Sequence, residues 1–267
     1  MEKYDVKFKK KFGQNFLKDT NIVKKIVRVA DIGDNSLVIE VGPGGAIMTR
    51  ELSLVGSNVL AYEIDKELEE EQKKRLMDRD NVKILFKDFL ESDLYSDVSQ
   101  YNYNNLYFVS NVPYYITTPI LMKLINSNLE FKKIVMMVQK EVGDRFSTVP
   151  GNKNYGSITV LLNYFYNIKK EFNVSRKQFV PEPNVDSVII SFTEKRDKLF
   201  LKDFNFFERL IRDSFQFKRK NIRNNLKKYN LEKIEEVLKK YNFDLTVRAE
   251  MLSFDIFVEL SNNLCEK

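Results

Sequence analysis

The run Ser110-Asn111-Val112-Pro113-Tyr114-Tyr115 places an amide, a rigid turn and an aromatic face within six residues. The Asn111 amide and a free backbone carbonyl beside Pro113 are two acceptors able to hold one –NH2 group. Two acceptors on an aromatic amine draw its lone pair out of conjugation and toward an electrophile. The Tyr114 ring offers a face for base stacking, a contact worth roughly 1–3 kcal/mol. A plain strand-to-helix turn lined by core tyrosines would use the same residues.

Three other stretches carry chemistry of a matching kind. Glu40-Val41-Gly42-Pro43-Gly44-Gly45-Ala46 is a glycine loop between an apolar strand and a helix, where a ligand can approach the backbone. A dinucleotide fingerprint would want a third glycine where Ile47 stands, so a nicotinamide cofactor is disfavoured and a nucleoside without pyrophosphate fits better. Glu63 closes the next apolar run, where an acid can grip both hydroxyls of a ribose, and Asp88 follows the third, where it can accept from an adenine amine. Singly, either acid is an ordinary polar residue at a strand end. Together Gly42, Glu63, Asp88 and Asn111 stand at successive strand ends and converge on one edge of a sheet.

Composition narrows the chemistry. The 267 residues include no histidine and one cysteine, Cys265. Ser-His-Asp and Cys-His catalysis are excluded, no internal disulfide can form, and no metal site is expected. A reaction carried out here must need no imidazole base. No apolar run approaches the roughly 20 residues of a membrane span, and the first residues lack the apolar core of a signal peptide, so the expected address is the cytoplasm. The net charge of +6 and pI near 9.0 favour an anionic partner, nucleic acid first. Two blocks concentrate that charge without an intervening acid: Lys7, Lys9, Lys10, Lys11 and Lys18 within 6–18, and Lys218, Arg219, Lys220, Arg223, Lys227 and Lys228 within 214–230. Each block can follow a phosphate backbone or form a solvated face.

The elements that must position these residues alternate. Apolar runs predict strands at 36–41, 58–63, 82–86, 106–110, 133–138 and 186–192. Helical spacing predicts helices at 20–30, 46–54, 65–76, 117–126, 139–147 and 157–165, with Thr118 as the cap and Pro119 as the first residue of the fourth. Such alternation argues for an α/β fold with a mostly parallel sheet covered on both faces. The acidic cluster Glu67, Glu69, Glu70 and Glu71, followed by Lys73, Lys74 and Arg75, reads as a solvated helix face of i,i+4 pairs. Beyond about 194 the strand signals fade, and Phe204–Phe217, Asn221–Lys228, Leu231–Tyr241 and Phe254–Leu264 predict helices.

Read end to end, the chain resembles the adenine dimethyltransferases of ribosomal RNA. The resemblance rests on Gly-Gln-Asn-Phe-Leu (13–17), Glu-Val-Gly-Pro-Gly (40–44), Glu63-Ile64-Asp65, Lys87-Asp88, Asn-Val-Pro-Tyr (111–114), Gln139-Lys140-Glu141-Val142, Tyr155-Gly156-Ser157 and Phe-Val-Pro-Glu-Pro-Asn-Val-Asp-Ser (179–187), in the family's order. It implies a Rossmann-like, S-adenosylmethionine-dependent methyltransferase domain over 1–193, with a basic arm over 1–18. A small all-α RNA-binding domain follows over 194–267. By motif, Asn15, Leu17, Gly42, Glu63, Asp88 and Asn111 would hold S-adenosyl-L-methionine. Asn111, Pro113 and Tyr114 would present a flipped target adenine, with Phe179 as a second aromatic wall. Lys10, Lys11, Lys218, Arg219, Lys220 and Arg223 would contact RNA.

The stretch Val138–Ser157, together with Phe217–Leu226 and Arg248–Leu252, is similar to the small-subunit (KsgA-type) branch. That branch dimethylates two adjacent adenines near the 3′ end of 16S rRNA during small-subunit biogenesis. The expected partner is then 16S rRNA in the small subunit or its precursor, the chain acting as a monomer and away from membranes. Open alternatives are an Erm-type enzyme acting on 23S rRNA, a mainly non-catalytic small-subunit assembly factor, and a DNA adenine methyltransferase. The last shares the Asn-x-Pro-Tyr logic but draws nothing from the C-terminal half.

Overall fold

The computed structural model describes residues 15–55 and 58–265. In chain order these form β1 (Phe16–Leu17), α1 (Thr20–Ala30), β2 (Ser36–Val41), α2 (Ile47–Ser53), β3 (Asn58–Tyr62), α3 (Glu69–Leu76), β4 (Val82–Leu85), α4 (Leu94–Val98), β5 (Asn105–Asn111), α5 (Thr117–Asn126) and β6 (Phe131–Gln139). There follow α6 (Lys140–Phe146), α7 (Ser157–Phe165), β7 (Tyr166–Val174), β8 (Phe179–Val180), β9 (Ser187–Glu194), α8 (Phe204–Ser214), α9 (Ile222–Asn225), α10 (Leu231–Lys240) and α11 (Phe254–Leu264). Two compact units result, one of Met1–Gly143 with Lys169–Thr193, the other of Asp144–Ile168 with Glu194–Lys267.

The first unit is built on a seven-stranded sheet in the order β4-β3-β2-β5-β6-β9-β7. The pairs β4–β3, β3–β2, β2–β5 and β5–β6 are parallel, and β6–β9 is antiparallel. The central strands are buried on both faces. Val38, Val109, Val135, Met137 and Ile189 share a core with Val23, Ile26 and Ala30 of α1 and Ile47, Met48 and Leu52 of α2. Their alternating neighbours Leu37, Ile39, Phe108, Ile134 and Met136 are equally buried, so they point to the opposite face of the pleat. Strand order reverses between β2 and β5, and the crevice beyond the carboxyl ends of those two strands is the switch point where ligands bind in open α/β sheets. A separate two-stranded ladder pairs Phe16 with Val180 and Leu17 with Phe179.

The second unit is helical. Helix α7 is apolar over most of its surface (Ile158, Val160, Leu161, Leu162) and packs against α8 and α11, while α10 packs on α11. Rings of Tyr164 and Phe207 meet at 5.3 Å and those of Phe215 and Phe257 at 5.9 Å. The sequence divides the chain once, near 193, whereas 144–168 groups with the later helices. The physical reason is α7 itself: Val160, Leu161, Leu162 and Tyr164 need apolar partners, and α8 and α11 supply them, with Phe207 against Tyr164.

Two local readings change. A short 3-10 turn, Tyr114–Ile116, precedes α5, so the helix begins at Thr117 and Pro119 is its third residue rather than its first. Proline is tolerated there because amides of the first turn have no intrahelical acceptor. The span 65–76 splits into a 3-10 turn, Lys66–Leu68, and α3, whose Glu69–Lys73 and Glu71–Arg75 pairs are at 2.8 and 3.6 Å.

Candidate active site

The loop after β2 turns on positive φ angles at Gly42 (71°), Gly44 (54°) and Ala46 (55°). At Gly44 the absence of a side chain is required twice over. The φ is left-handed, and a Cβ would stand 2.6 Å from Cε1 of Phe16. The Gly42 amide donates to the Tyr62 carbonyl at 2.8 Å and the Gly44 amide to Glu63 Oε2 at 3.0 Å, which ties the loop to the end of β3.

Glu63 is 3% exposed, and its other oxygen accepts from the Asp65 amide at 2.9 Å. Buried Gln72 of α3 donates through Nε2 to the Gly44 carbonyl at 2.9 Å and to Glu63 Oε2 at 3.3 Å. Burial raises the Glu63 carboxyl above the usual carboxylate range, and the donated amide hydrogen bonds oppose that shift. Glu40, within β2, is 1% exposed. Its Oε2 and the neighbouring Thr49 Oγ1 have no hydrogen-bond partner among the described residues. Burial, reinforced by the charge of Glu63, pushes its carboxyl up to about 8.

Strand β5 delivers the turn read first from the sequence. Ser110 Oγ donates to the Val41 carbonyl at 2.6 Å, locking the ends of β5 and β2 together. Asn111 Nδ2 donates to the Asn15 carbonyl at 3.1 Å, which fixes the amide with its oxygen left to serve as acceptor. The Pro113 carbonyl already accepts from the Ile116 amide at 3.2 Å and keeps its second lone pair. The Tyr114 hydroxyl lies 2.7 Å from Ser187 Oγ. Burial raises that phenol, so it stays neutral at ordinary pH.

Asn15, Leu17, Gly42, Glu63, Asn111, Pro113 and Tyr114 line one solvent-open cleft of about 840 Å³, together with Glu40, Ile64, Met48 and Met137. Two expected members do not line it. Asp88 stands one strand further along the same edge, where Oδ1 accepts from the Leu90 amide at 2.8 Å; Lys123 of α5 holds that loop through the Leu90 and Ser92 carbonyls. Phe179 is 1% exposed and packs in the core with Leu17, Val23 and Ile26, which themselves line the cleft. Register explains this: pairing with Leu17 in the short ladder turns the ring into the α1 core.

Lys218, Arg219, Lys220 and Arg223 lie in the second unit, all exposed, on the turn between α8 and α9 and at the start of α9. Lys10 and Lys11 lie outside the described residues. Sequence reasoning passed over Gln72, although Leu68, Gln72 and Leu76 recur every four residues and so share the buried side of that segment. It also passed over Ser187, the last residue of the quoted 179–187 motif. Among the described residues no group of acidic or cysteine side chains could hold a metal ion, and no helix is long and apolar enough to cross a membrane.

Residues 5–265 match the model of the family described as ribosomal RNA adenine dimethylase. A ribosomal RNA small subunit methyltransferase A from Streptococcus thermophilus is 44% identical over all of this chain and 95% of its own length. One from a Geobacillus species is 39% identical over 99% and 94%. Among solved structures, a dimethyladenosine transferase from Plasmodium falciparum superposes with a TM-score of 0.77 at 27% identity, covering 91% of this chain and 95% of that one. The 23S rRNA methyltransferase ErmE shares the fold, with a TM-score of 0.74 at 24% identity over 94% and 99%. With the glycine loop, the buried acid and the Asn-Val-Pro-Tyr turn gathered at one switch point of a Rossmann-like sheet, the chain belongs to the ribosomal RNA adenine dimethylase family.

Proposed function

We propose that this protein transfers methyl groups from S-adenosyl-L-methionine to the exocyclic amines of two adjacent adenines near the 3′ end of 16S rRNA. It would act in the cytoplasm during small-subunit biogenesis. The observation that carries the reading is the shared cleft, in which the glycine loop and Glu63 face the Asn111–Tyr114 turn. Full-length relatives named for the small subunit favour 16S over 23S rRNA.

The cleft fits a nucleoside donor. Gly42 and Gly44 bring backbone to the cleft, and Glu40 Oε2 is a buried acceptor without a hydrogen-bond partner among the described residues. When bound, S-adenosylmethionine supplies a methyl group already activated on a sulfonium. Glu63 would take the ribose hydroxyls. Its oxygens already accept three hydrogen bonds out of about four sites, so a diol would use the remaining one and displace the long Gln72 contact. Asp88, on the neighbouring strand end, would take the donor's adenine amine, and Asn15 and Leu17 would close the near side of the site.

On the acceptor side, the flipped adenine would stack on Tyr114. Asn111 Oδ1 and the spare lone pair of the Pro113 carbonyl would accept from its amine and aim the nitrogen's lone pair. Positioning supplies most of the rate, and the cationic amine formed on attack sheds its proton without an imidazole. The second unit, and within it Lys218, Arg219, Lys220 and Arg223, would dock RNA together with Lys10 and Lys11 of the arm.

Labelled donor supplied with small-subunit particles and, separately, with naked 23S rRNA tests the assignment. Label is expected in the particles, on two adjacent adenines; label only in 23S rRNA would overturn it. Asn111→Ala is expected to lower turnover at least about 100-fold, as for loss of one preorganised polar group. Near-normal methylation by the folded variant would remove Asn111 from the mechanism.

A further inference from the structure

The segment from Phe179 to Ser187 reaches the acceptor site at its far end, since Phe179 is committed to the core. Ser187 opens β9 opposite Gln139 of β6, is fully buried, and places its hydroxyl 2.7 Å from that of Tyr114. The remaining contacts of the turn act on its backbone. Thr117 Oγ1 donates to the Tyr114 carbonyl at 3.1 Å, and the Ile116 amide donates to the Pro113 carbonyl. Neither holds the ring itself. The directional restraint on the ring tip is therefore the hydroxyl pair.

The Ser187 end of that pair is rigid. The Arg176 amide donates to Asp186 Oδ1 at 2.9 Å, and the Arg176 guanidinium reaches the Asn184 carbonyl at 3.2 Å and Glu182 at 3.0 Å. The Lys140 amide donates to the Asp186 carbonyl at 3.0 Å. A loop braced in this way delivers Ser187 to one place.

We propose that Ser187 is a positioning residue for methyl transfer. Its hydroxyl fixes the tip of the Tyr114 ring, and with it the position at which a stacked adenine presents its amine to Asn111. This rests on the reading of Tyr114 as the platform for the target base. Because the bond orients a platform already in place, it acts on turnover rather than on binding of the donor or the particle.

The test compares Ser187→Ala, Tyr114→Phe, their combination and Tyr114→Ala on small-subunit particles, with S-adenosylhomocysteine affinity measured by calorimetry. Each hydroxyl deletion is expected to lower kcat about 3- to 10-fold, the scale of one neutral hydrogen bond. KM for particles and S-adenosylhomocysteine affinity should hold within about twofold, since neither contact touches the donor. The double variant should be no slower than the slower single one, because both remove the same bond. Additive losses, or a lower Tm with unchanged kcat, would overturn the proposal. Should Ser187→Ala fail to fold, Tyr114→Phe decides alone, and wild-type kcat there counts against it. Full turnover by Tyr114→Ala would instead sink the base-platform reading itself.

Discussion

Burying a carboxyl is costly unless it is paired or keeps its proton. Glu40 lies in a strand buried along its whole length, and its acid titrates near 8 instead of 4.5, so the ligand-free protein holds it largely neutral at pH 7. A folded-state pKa raised above the unfolded value stabilises fully below about 4.5, and that stability is lost as pH rises to about 8. The slope from one such group is about 1.4 kcal/mol per pH unit, a few kcal/mol in all, and Glu63 shifts in the same direction. Glu40→Gln should abolish the Glu40 share. Its amide is nearly isosteric with the neutral acid and can donate to the neighbouring Thr49 oxygen. Urea unfolding without ligand should show the two proteins alike near pH 5 and the variant progressively more stable toward pH 8. A difference independent of pH would mean that Glu40 is charged throughout.

The strand–loop–helix unit β2–α2 holds the donor side through backbone geometry, so its weakest point to substitution is a glycine. Gly44→Ala meets a left-handed φ of 54° and a 2.6 Å clash with Phe16, whose strand β1 also carries Leu17 at the cleft. The expected result is a loss of roughly 1–3 kcal/mol of stability and at least about a tenfold weaker S-adenosylhomocysteine affinity by calorimetry. Wild-type affinity in a folded Gly44→Ala protein would show that the loop gives way freely. The same contrast between pattern and contact governs what the sequence discloses. The parallel strands are legible because burial on both faces demands unbroken apolar runs such as Leu37–Ile39 and Leu106–Val109. Strand β7 is not, although Tyr166, Ile168, Phe172 and Val174 alternate, because Lys169-Lys170-Glu171 gives its edge position the look of a loop. Of the site, Gly42, Glu63 and Asn111 can be placed because each ends a readable strand. Phe179 cannot, since its direction is decided by pairing with Leu17, more than 150 residues away in the chain. Gln72 is hidden by the charges around it.

Charge is distributed unevenly over the molecule in a way that bears on RNA. The unit of Asp144–Ile168 and Glu194–Lys267 carries 19 basic and 14 acidic residues, which accounts for five of the six excess positive charges. Within the other unit, residues 1–18 carry six lysines against two acids, so the rest of that unit is net negative. A negative body flanked in sequence by a basic arm and a basic helical unit would repel phosphate except where those segments engage it. Lys218, Arg219 and Lys220 sit exposed on one turn, and Lys218 Nζ also donates to the Lys153 carbonyl at 2.7 Å, which anchors its charge in place. Lys228, by contrast, pairs with Asp213 at 2.9 Å and has less charge to offer. Reversing Lys218, Arg219 and Lys220 to glutamate should therefore weaken binding to small-subunit particles at least about tenfold. It should also lower the slope of log affinity against log salt by about 2, while S-adenosylhomocysteine affinity stays unchanged. The equivalent reversal of Lys227 and Lys228 should cost less. Unchanged particle affinity and salt slope in the triple variant would move RNA docking away from this turn and leave the arm as its main basic contact.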